Sequence, residues 1–151
     1  MQNIELKILV GLHRNVNKID RKTKKLVAKH GLTLSQFMVL EVLYAKGDMT
    51  VGEVRDKILS TVGTISLIVN NLVKQGYVER LGDEKDRRVS ILHLTPEGRE
   101  IIGRVFPENQ QLIEESMAKL SEDEKKQLLY ILKKMGGKLD EENRKDQSKG
   151  I

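Results

Sequence analysis

From Ile8 to Val27 the apolar residues return every three or four positions: Ile8, Leu12, Val16 and Ile19, then Leu26 and Val27 two turns on. That spacing is one face of a long helix. Phe37, Leu40, Leu43 and Tyr44 make a second stripe, Val51, Val54 and Ile58 a third, and Val62, Ile65, Val69 and Leu72 a fourth. Then the period changes. YVERL at 77–81 and VSILHL at 89–94 are short, β-branched or aromatic segments on either side of GDEKDRR, which predicts a hairpin. Helical spacing returns after Thr95 with Ile101, Val105, Leu112, Met117 and Leu120, crossed by Pro107, which is expected to kink that helix. Leu128, Leu132 and Met135 form the last stripe, and the polar residues 137–151 are expected to be a disordered tail.

The helix starts are marked by their caps. Thr33 with Gln36, Thr50 with Glu53, and Ser121 with Glu124 each match the capping box, in which a hydroxyl and a carboxyl or amide three residues on satisfy free N–H groups reciprocally. Thr95-Pro96-Glu97 adds an N-cap followed by proline at the first helical position, where the missing N–H costs nothing. Gly31, Gly47, Gly76 and the pair Gly136-Gly137 mark the stops.

Between about 33 and 98 the order is therefore helix, helix, helix, strand, turn, strand. Two helices joined by a short connection, with a hairpin directly after the second, make a helix-turn-helix with a wing. The expected fold class is mainly α with a small β-hairpin wing. The winged helix is flanked by N- and C-terminal helices, about 4–30 and 96–136, in a single domain over 1–136.

The second helix of the motif, read as about 60–74, sorts into two faces at 100° per residue. Val62, Ile65, Val69 and Leu72 share the inner side; Ser60, Gly63, Thr64, Leu67, Asn70, Asn71 and Lys74 share the other. In a chain that is 32% charged, a solvated face would carry Lys and Glu. This one carries hydroxyls, amides, a glycine and a leucine, with a single cation at its far end. Such groups hydrogen-bond base edges or phosphates, and asparagine suits adenine. A merely weakly helical surface has the same composition, so the face alone leaves both readings open.

Charge adds location more than size. Residues 1–30 hold eight Lys and Arg against Glu5 and Asp20, an excess of +6, so the rest of the chain sums to −1 within the total of +5. Basic character fits a polyanion partner, and it also fits an ordinary solvated face. With 3% aromatic residues the core rests on Leu, Ile and Val, and the absence of cysteine removes disulfides, thiolate metal sites and thiol redox chemistry. No apolar run approaches the roughly 18 to 20 residues of a membrane span. The first fifteen residues make a poor signal peptide, their apolar stretch broken by Glu5 and Lys7. The expectation is a soluble cytoplasmic protein with no membrane partner.

STVGTISLIVNNLVKQGYVER at 60–80, followed by DEKDRRVSILHLTPEG at 83–98, resembles the recognition helix and wing of the MarR family of bacterial transcriptional regulators. Leu72, Gly76, Tyr77, Val78 and Arg80 match the family pattern that closes the helix. Asp86, Arg88, Leu94, Thr95 and Gly98 match the Asp-x-Arg tip and its Leu-Thr-x-x-Gly exit, and LTLSQFMVLEVL at 32–43 resembles the preceding helix. The likeness is strong over about 32–98; the flanking helices agree in position and amphipathicity.

The resemblance implies a homodimer whose end helices interdigitate and place two winged helices on a pseudo-palindromic operator in double-stranded DNA. It implies repression relieved by a small molecule. DNA contacts would come from Ser60, Thr61, Gly63, Thr64, Ser66, Leu67 and Asn70 on the helix. In the wing, Arg88 would enter the minor groove, Arg87 would meet a phosphate and Asp86 would hold the tip in shape. Leu67 and Asn71 depart from the family, which often carries arginine at those places. His13, Phe37 and Tyr44 are candidates to line a cleft for a small aromatic or anionic effector, and equally candidates for ordinary packing.

Other classes find little support. Ser116-Met117-Ala118-Lys119 matches the bare Ser-x-x-Lys pattern of some acyl-serine enzymes, but no companion motif accompanies it. There is no Gly-rich phosphate loop, and His13, His30 and His93 are too scattered for a metal site. No enzyme, cofactor or metal is expected. The remaining alternative is a winged helix that binds another protein without specific DNA binding.

Overall fold

The computed structural model describes residues 3–58, 62–82, 85–86 and 88–138. Among these residues nine elements follow in order: α1 Ile4–Ala28, α2 Leu34–Lys46, β1 Met49–Thr50, α3 Val51–Ile58, α4 Val62–Lys74, β2 Val78–Gly82, β3 Ser90–Leu94, α5 Pro96–Ser116 and α6 Glu122–Met135. They fall into two compact units, residues 1–112 and 113–151.

In the first unit the stripes of α2, α3, α4 and α5 converge on one aliphatic core, in which Phe37 is the single aromatic ring among the fully buried side chains. Val54, Val69, Leu72, Leu92, Ile102 and Val105 are fully buried there. The sheet is antiparallel in the order β1-β3-β2, with Val78 opposite Leu94 and Gly82 opposite Ser90. The expected hairpin is thus β2 and β3. The sequence reading missed β1, which pairs Met49 with Leu92 and Thr50 with Ile91. Thr50 also caps α3, its Oγ1 accepting from the Glu53 N–H at 3.1 Å.

Two of the three expected capping boxes form in full, and Thr50 supplies the hydroxyl half of the third. Thr33 Oγ1 accepts from the Gln36 N–H at 3.1 Å while Gln36 Oε1 accepts from the Thr33 N–H at 3.0 Å. Ser121 and Glu124 reproduce this in the second unit at 3.1 and 2.9 Å. There the Ser121 backbone N–H and hydroxyl hold the Glu124 carboxyl below its usual range. α5 is continuous through Pro107.

One buried polar pair fastens α1 to α5: Thr23 Oγ1 donates to Asn109 Oδ1 at 2.8 Å, with each residue 5% exposed. A second close fit joins α5 to the hairpin. Thr95 Oγ1 donates to the Gly76 carbonyl and accepts from the Gly98 N–H at 3.0 Å, and the Thr95 N–H bonds the Tyr77 carbonyl at 3.1 Å. A Cβ on Gly98 would lie 2.0 Å from that same Tyr77 oxygen. Only glycine lets the first turn of α5 come so near the strand entrance, which is the physical content of the Leu94-Thr95-x-x-Gly98 pattern.

Removing one partner of a buried hydrogen bond costs more than removing both. Thr23→Val is expected to lower stability to urea by about 1 to 3 kcal/mol, and Thr23→Val with Asn109→Leu to regain most of that. Equal losses in the single and double variants would show that the pair does not fasten α1 to α5. Gly98→Ala, facing backbone rather than a movable side chain, is expected to cost at least about 1 to 3 kcal/mol in the same assay.

Candidate nucleic-acid interface

α4 is seated by its inner side, where Ile65, Ile68, Val69 and Leu72 are all buried. Its end is fixed by Gly76 at φ +79°, with the Tyr77 N–H bonded to the Leu72 carbonyl and the Gly76 N–H to that of Val73, both at 3.0 Å. This is the six-to-one and five-to-two pairing that turns a helix sharply into the next strand. β2 therefore starts two residues after the turn and stands beside α4.

What the inner packing leaves outside is the polar side of α4. Thr64, Ser66, Leu67, Asn70, Asn71 and Lys74 are exposed, and Leu67 is 63% so. From Thr64 to Lys74 the only formal charge is Lys74. Gly63 lies in the first turn of α4, but its surroundings and those of Val62 are outside the described residues, as are Ser60 and Thr61. Thr64, Ser66, Leu67 and Asn70 are thus brought to one surface.

A residue outside the expected DNA contacts joins this surface. Arg80 pairs across the sheet with Leu92, so its side chain leaves β2 on the face that Leu92 buries. From there its Nη2 donates to Asn70 Oδ1. A guanidinium has only donors, so the contact settles which end of the Asn70 amide faces it. The sequence signal was present, since Arg80 belongs to the motif that closes the helix, but nothing in spacing alone pairs it with Asn70.

At the wing, Asp86 acts as expected in kind and differently in detail. Its Oδ1 accepts from the Arg88 backbone N–H at 2.9 Å, and its carbonyl accepts from the Val89 N–H at 3.2 Å. The carboxylate thus folds the tip through the backbone, an Asx-type turn, and Arg88 is exposed. Arg87 lies outside the described residues. On the far face of the sheet His93 Nδ1 bonds Asp48 Oδ1 at 2.7 Å, with Nε2 at 4.0 Å from Glu79 Oε1. A carboxylate can only accept, so the proton of that short contact sits on Nδ1.

The three effector candidates stand in different settings. Phe37 belongs to the core at 2% exposed, His13 is exposed on α1, and Tyr44 is 38% exposed on α2. Tyr44 packs on Phe106, ring centroids 5.8 Å apart, and lies 5.9 Å from the Arg99 guanidinium. Among the described residues no group of three or more His, Cys, Asp or Glu side chains is placed to hold a metal. Among the described residues no helix is long and apolar enough to cross a membrane.

Residues 30–89 match the model of the MarR family. The chain is 34% identical over 136 residues to the HTH-type transcriptional regulator MhqR of Bacillus subtilis, covering 90% of this chain and 94% of that one. Among solved structures it is similar to a mutant MarR from E. coli complexed with operator DNA, at 28% identity and a TM-score of 0.77, covering 89% of this chain and 99% of that one. The fold is also that of BpsR from Bordetella bronchiseptica, at 23% identity and a TM-score of 0.78, covering 86% and 98%. The structure of BpsR concerns regulation of its DNA binding by 6-hydroxynicotinic acid.

Because Asp86 works as an acceptor for a backbone donor, an amide serves as well as a carboxylate. Asp86→Asn is expected to keep the Arg88 amide as protected from hydrogen exchange as in the unaltered chain. Asp86→Ala should release it by roughly fivefold, the equivalent of about 1 kcal/mol. Equal protection in all three proteins would show that the turn does not depend on this side chain.

Proposed function

Since the chain belongs to the MarR family of winged helix-turn-helix transcriptional regulators, which bind DNA and are not enzymes, we propose that it works as a cytoplasmic, homodimeric repressor of pseudo-palindromic operators. The observation that carries this is the outer side of α4, uncharged from Thr64 to Val73, beside a hairpin tipped by Arg88. α4 enters the major groove. Thr64, Ser66 and Asn70 hydrogen-bond bases or nearby phosphates, joined by Ser60, Thr61 and Gly63. Arg88 enters the adjacent minor groove, where a narrow groove concentrates negative potential, and Arg87 meets a phosphate.

Leu67 gives the surface its particular preference. An apolar side chain gains nothing from a phosphate but packs on the C5-methyl of thymine, the one apolar feature of the major groove. Asn70 beside it suits adenine, with Arg80 holding the amide oxygen. The half-site is accordingly rich in A·T pairs.

Support for dimerisation comes from what remains uncovered. Ile4, Leu6, Ile8, Leu9 and Val10 are exposed on α1, and Leu128, Leu129, Tyr130, Ile131, Leu132 and Met135 on α6. α6 buries none of its residues. Apolar surface on this scale marks an interface, and a second copy accounts for both stretches. The effector, a small aromatic or anionic molecule, binds on the face around Tyr44, Phe106 and Arg99, where an aromatic surface adjoins a cation.

Arg88→Ala is expected to weaken binding to the tightest operator by about 1 to 3 kcal/mol with unchanged melting temperature; unchanged affinity in a folded variant would remove the wing from the interface. Replacing thymine by uracil one position at a time across a half-site should reveal one position where the unaltered protein loses affinity and Leu67→Ala does not. Uniform insensitivity, or equal losses in both proteins, would exclude the methyl contact. For the dimer, Leu129→Glu with Ile131→Glu should give a folded monomer by sedimentation equilibrium, with operator affinity sharply reduced. A double variant that remains dimeric would exclude α6 from the interface.

A further inference from the structure

The excess charge of the N-terminal helix is not used by α4 or the wing. On α1, Arg14, Lys18, Arg21, Lys22, Lys25 and Lys29 fall within about 100° of arc at 100° per residue. All six are exposed, and Thr23 and Val27 on the opposite side of the helix are buried. The one acid between 14 and 29, Asp20, lies outside the stripe. Among the described residues none of the six takes part in an ion pair. Elsewhere the same molecule does pair its helical charges, Arg104 with Glu100 and Lys125 with Glu122.

The arrangement works against the free helix. Arg14 and Lys18, Lys18 and Lys22, Arg21 and Lys25, and Lys25 and Lys29 are like charges at i, i+4, where each pair is mildly destabilising. A partner carrying a row of negative charges would relieve all of them together. From Arg14 to Lys29 the stripe is about 22 Å long at 1.5 Å per residue. Duplex DNA carries a phosphate about every 1.7 Å of axis over its two winding strands, so a stretch of this length turns several of them towards the stripe.

The geometry points to this stripe as a second, sequence-independent binding surface for the phosphate backbone of duplex DNA, separate from α4 and the wing. A lipid surface fits it poorly. A helix lying on a membrane needs exposed apolar side chains bordering its cationic face, whereas the neighbours of the stripe are Asn15, Asn17, Ala28 and the half-buried Leu26. The exposed large apolar residue of this stretch, Val16, lies on the far side. Lysine ammonium groups match single phosphate charges without demanding the planar geometry of a base edge.

This inference rests on the DNA-binding reading, and the two fail in different ways. The test compares the full chain with a Lys18→Gln, Lys22→Gln, Lys25→Gln variant by fluorescence anisotropy at several salt concentrations. The probes are an operator duplex extended by flanking sequence, a random duplex of equal length, and vesicles of phosphatidylserine. Each neutralised phosphate contributes about 0.9 to the slope of log affinity against log salt. The variant is therefore expected to lose about 2 to 3 from that slope on both duplexes, to keep its ratio of operator to random affinity, and to melt no lower than the unaltered chain. An unaltered chain that binds no duplex overturns both readings. Operator binding with a salt slope shared by the variant overturns the stripe alone, as does stripe-dependent binding to the vesicles without any change on duplexes.

Discussion

Leu92 sits fully buried at the middle of the central strand β3, opposite Met49 of β1 on one side and Arg80 of β2 on the other. Most of what faces outward is positioned through that one register. On β1 it ties the connection between α2 and α3 into the sheet. On β2 it directs Arg80 to α4 and sets where the wing turns. At its end, Leu94 and Thr95 deliver the chain to Gly98, where α5 comes within glycine distance of the Tyr77 carbonyl. A slip of one residue would exchange the two faces of β3. It would bury His93, drive Leu92 into solvent and part His93 from Asp48 and Glu79. The inner aliphatic contact and the outer polar contacts therefore specify the same pairing.

This division of labour gives the recognition surface its character. α4 is held by Ile65, Val69 and Leu72 from within and by the Gly76 turn at its end, while Thr64, Ser66, Leu67 and Asn70 stand exposed on its outer side. Arg80 belongs to the sheet and reaches α4, so the amide of Asn70 is oriented by the same strand that leads into the hairpin.

Much of this could be read from the residues in order. The capping hydroxyls of Thr33, Thr95 and Ser121 mark helix starts locally, and the change of period at Tyr77 marks the hairpin; both signals lie within a few positions of what they specify. Ile65, Val69 and Leu72 were legible as core for the same reason, while the outward direction of Leu67 followed from the helical period. Less legible were features made by distant residues. A strand of two residues such as Met49-Thr50 has no period to detect, and the Thr23 to Asn109 bond joins positions that look like ordinary polar sites on their own helices. Tyr44 continued the α2 stripe in sequence but turns out beside Phe106 at the edge of the core. The apolar pattern of α6 says that something covers it and not what. Asp86 was assigned to the wing tip correctly, though its acceptance of the Arg88 backbone N–H could not be told from a side-chain pairing by composition.

Sequence-specific binding by a two-fold arrangement of α4 and wing is tested most directly by selecting bound duplexes from a random pool with the purified full chain and sequencing the survivors. Two recognition helices related by symmetry predict an enriched inverted repeat, its A·T-rich half-sites centred about one helical turn, roughly 34 to 36 Å, apart. Survivors as diverse as the starting pool, from a chain that nonetheless retains duplexes, would mean that only the backbone is bound and would contradict the assignment of α4 as a reader of bases.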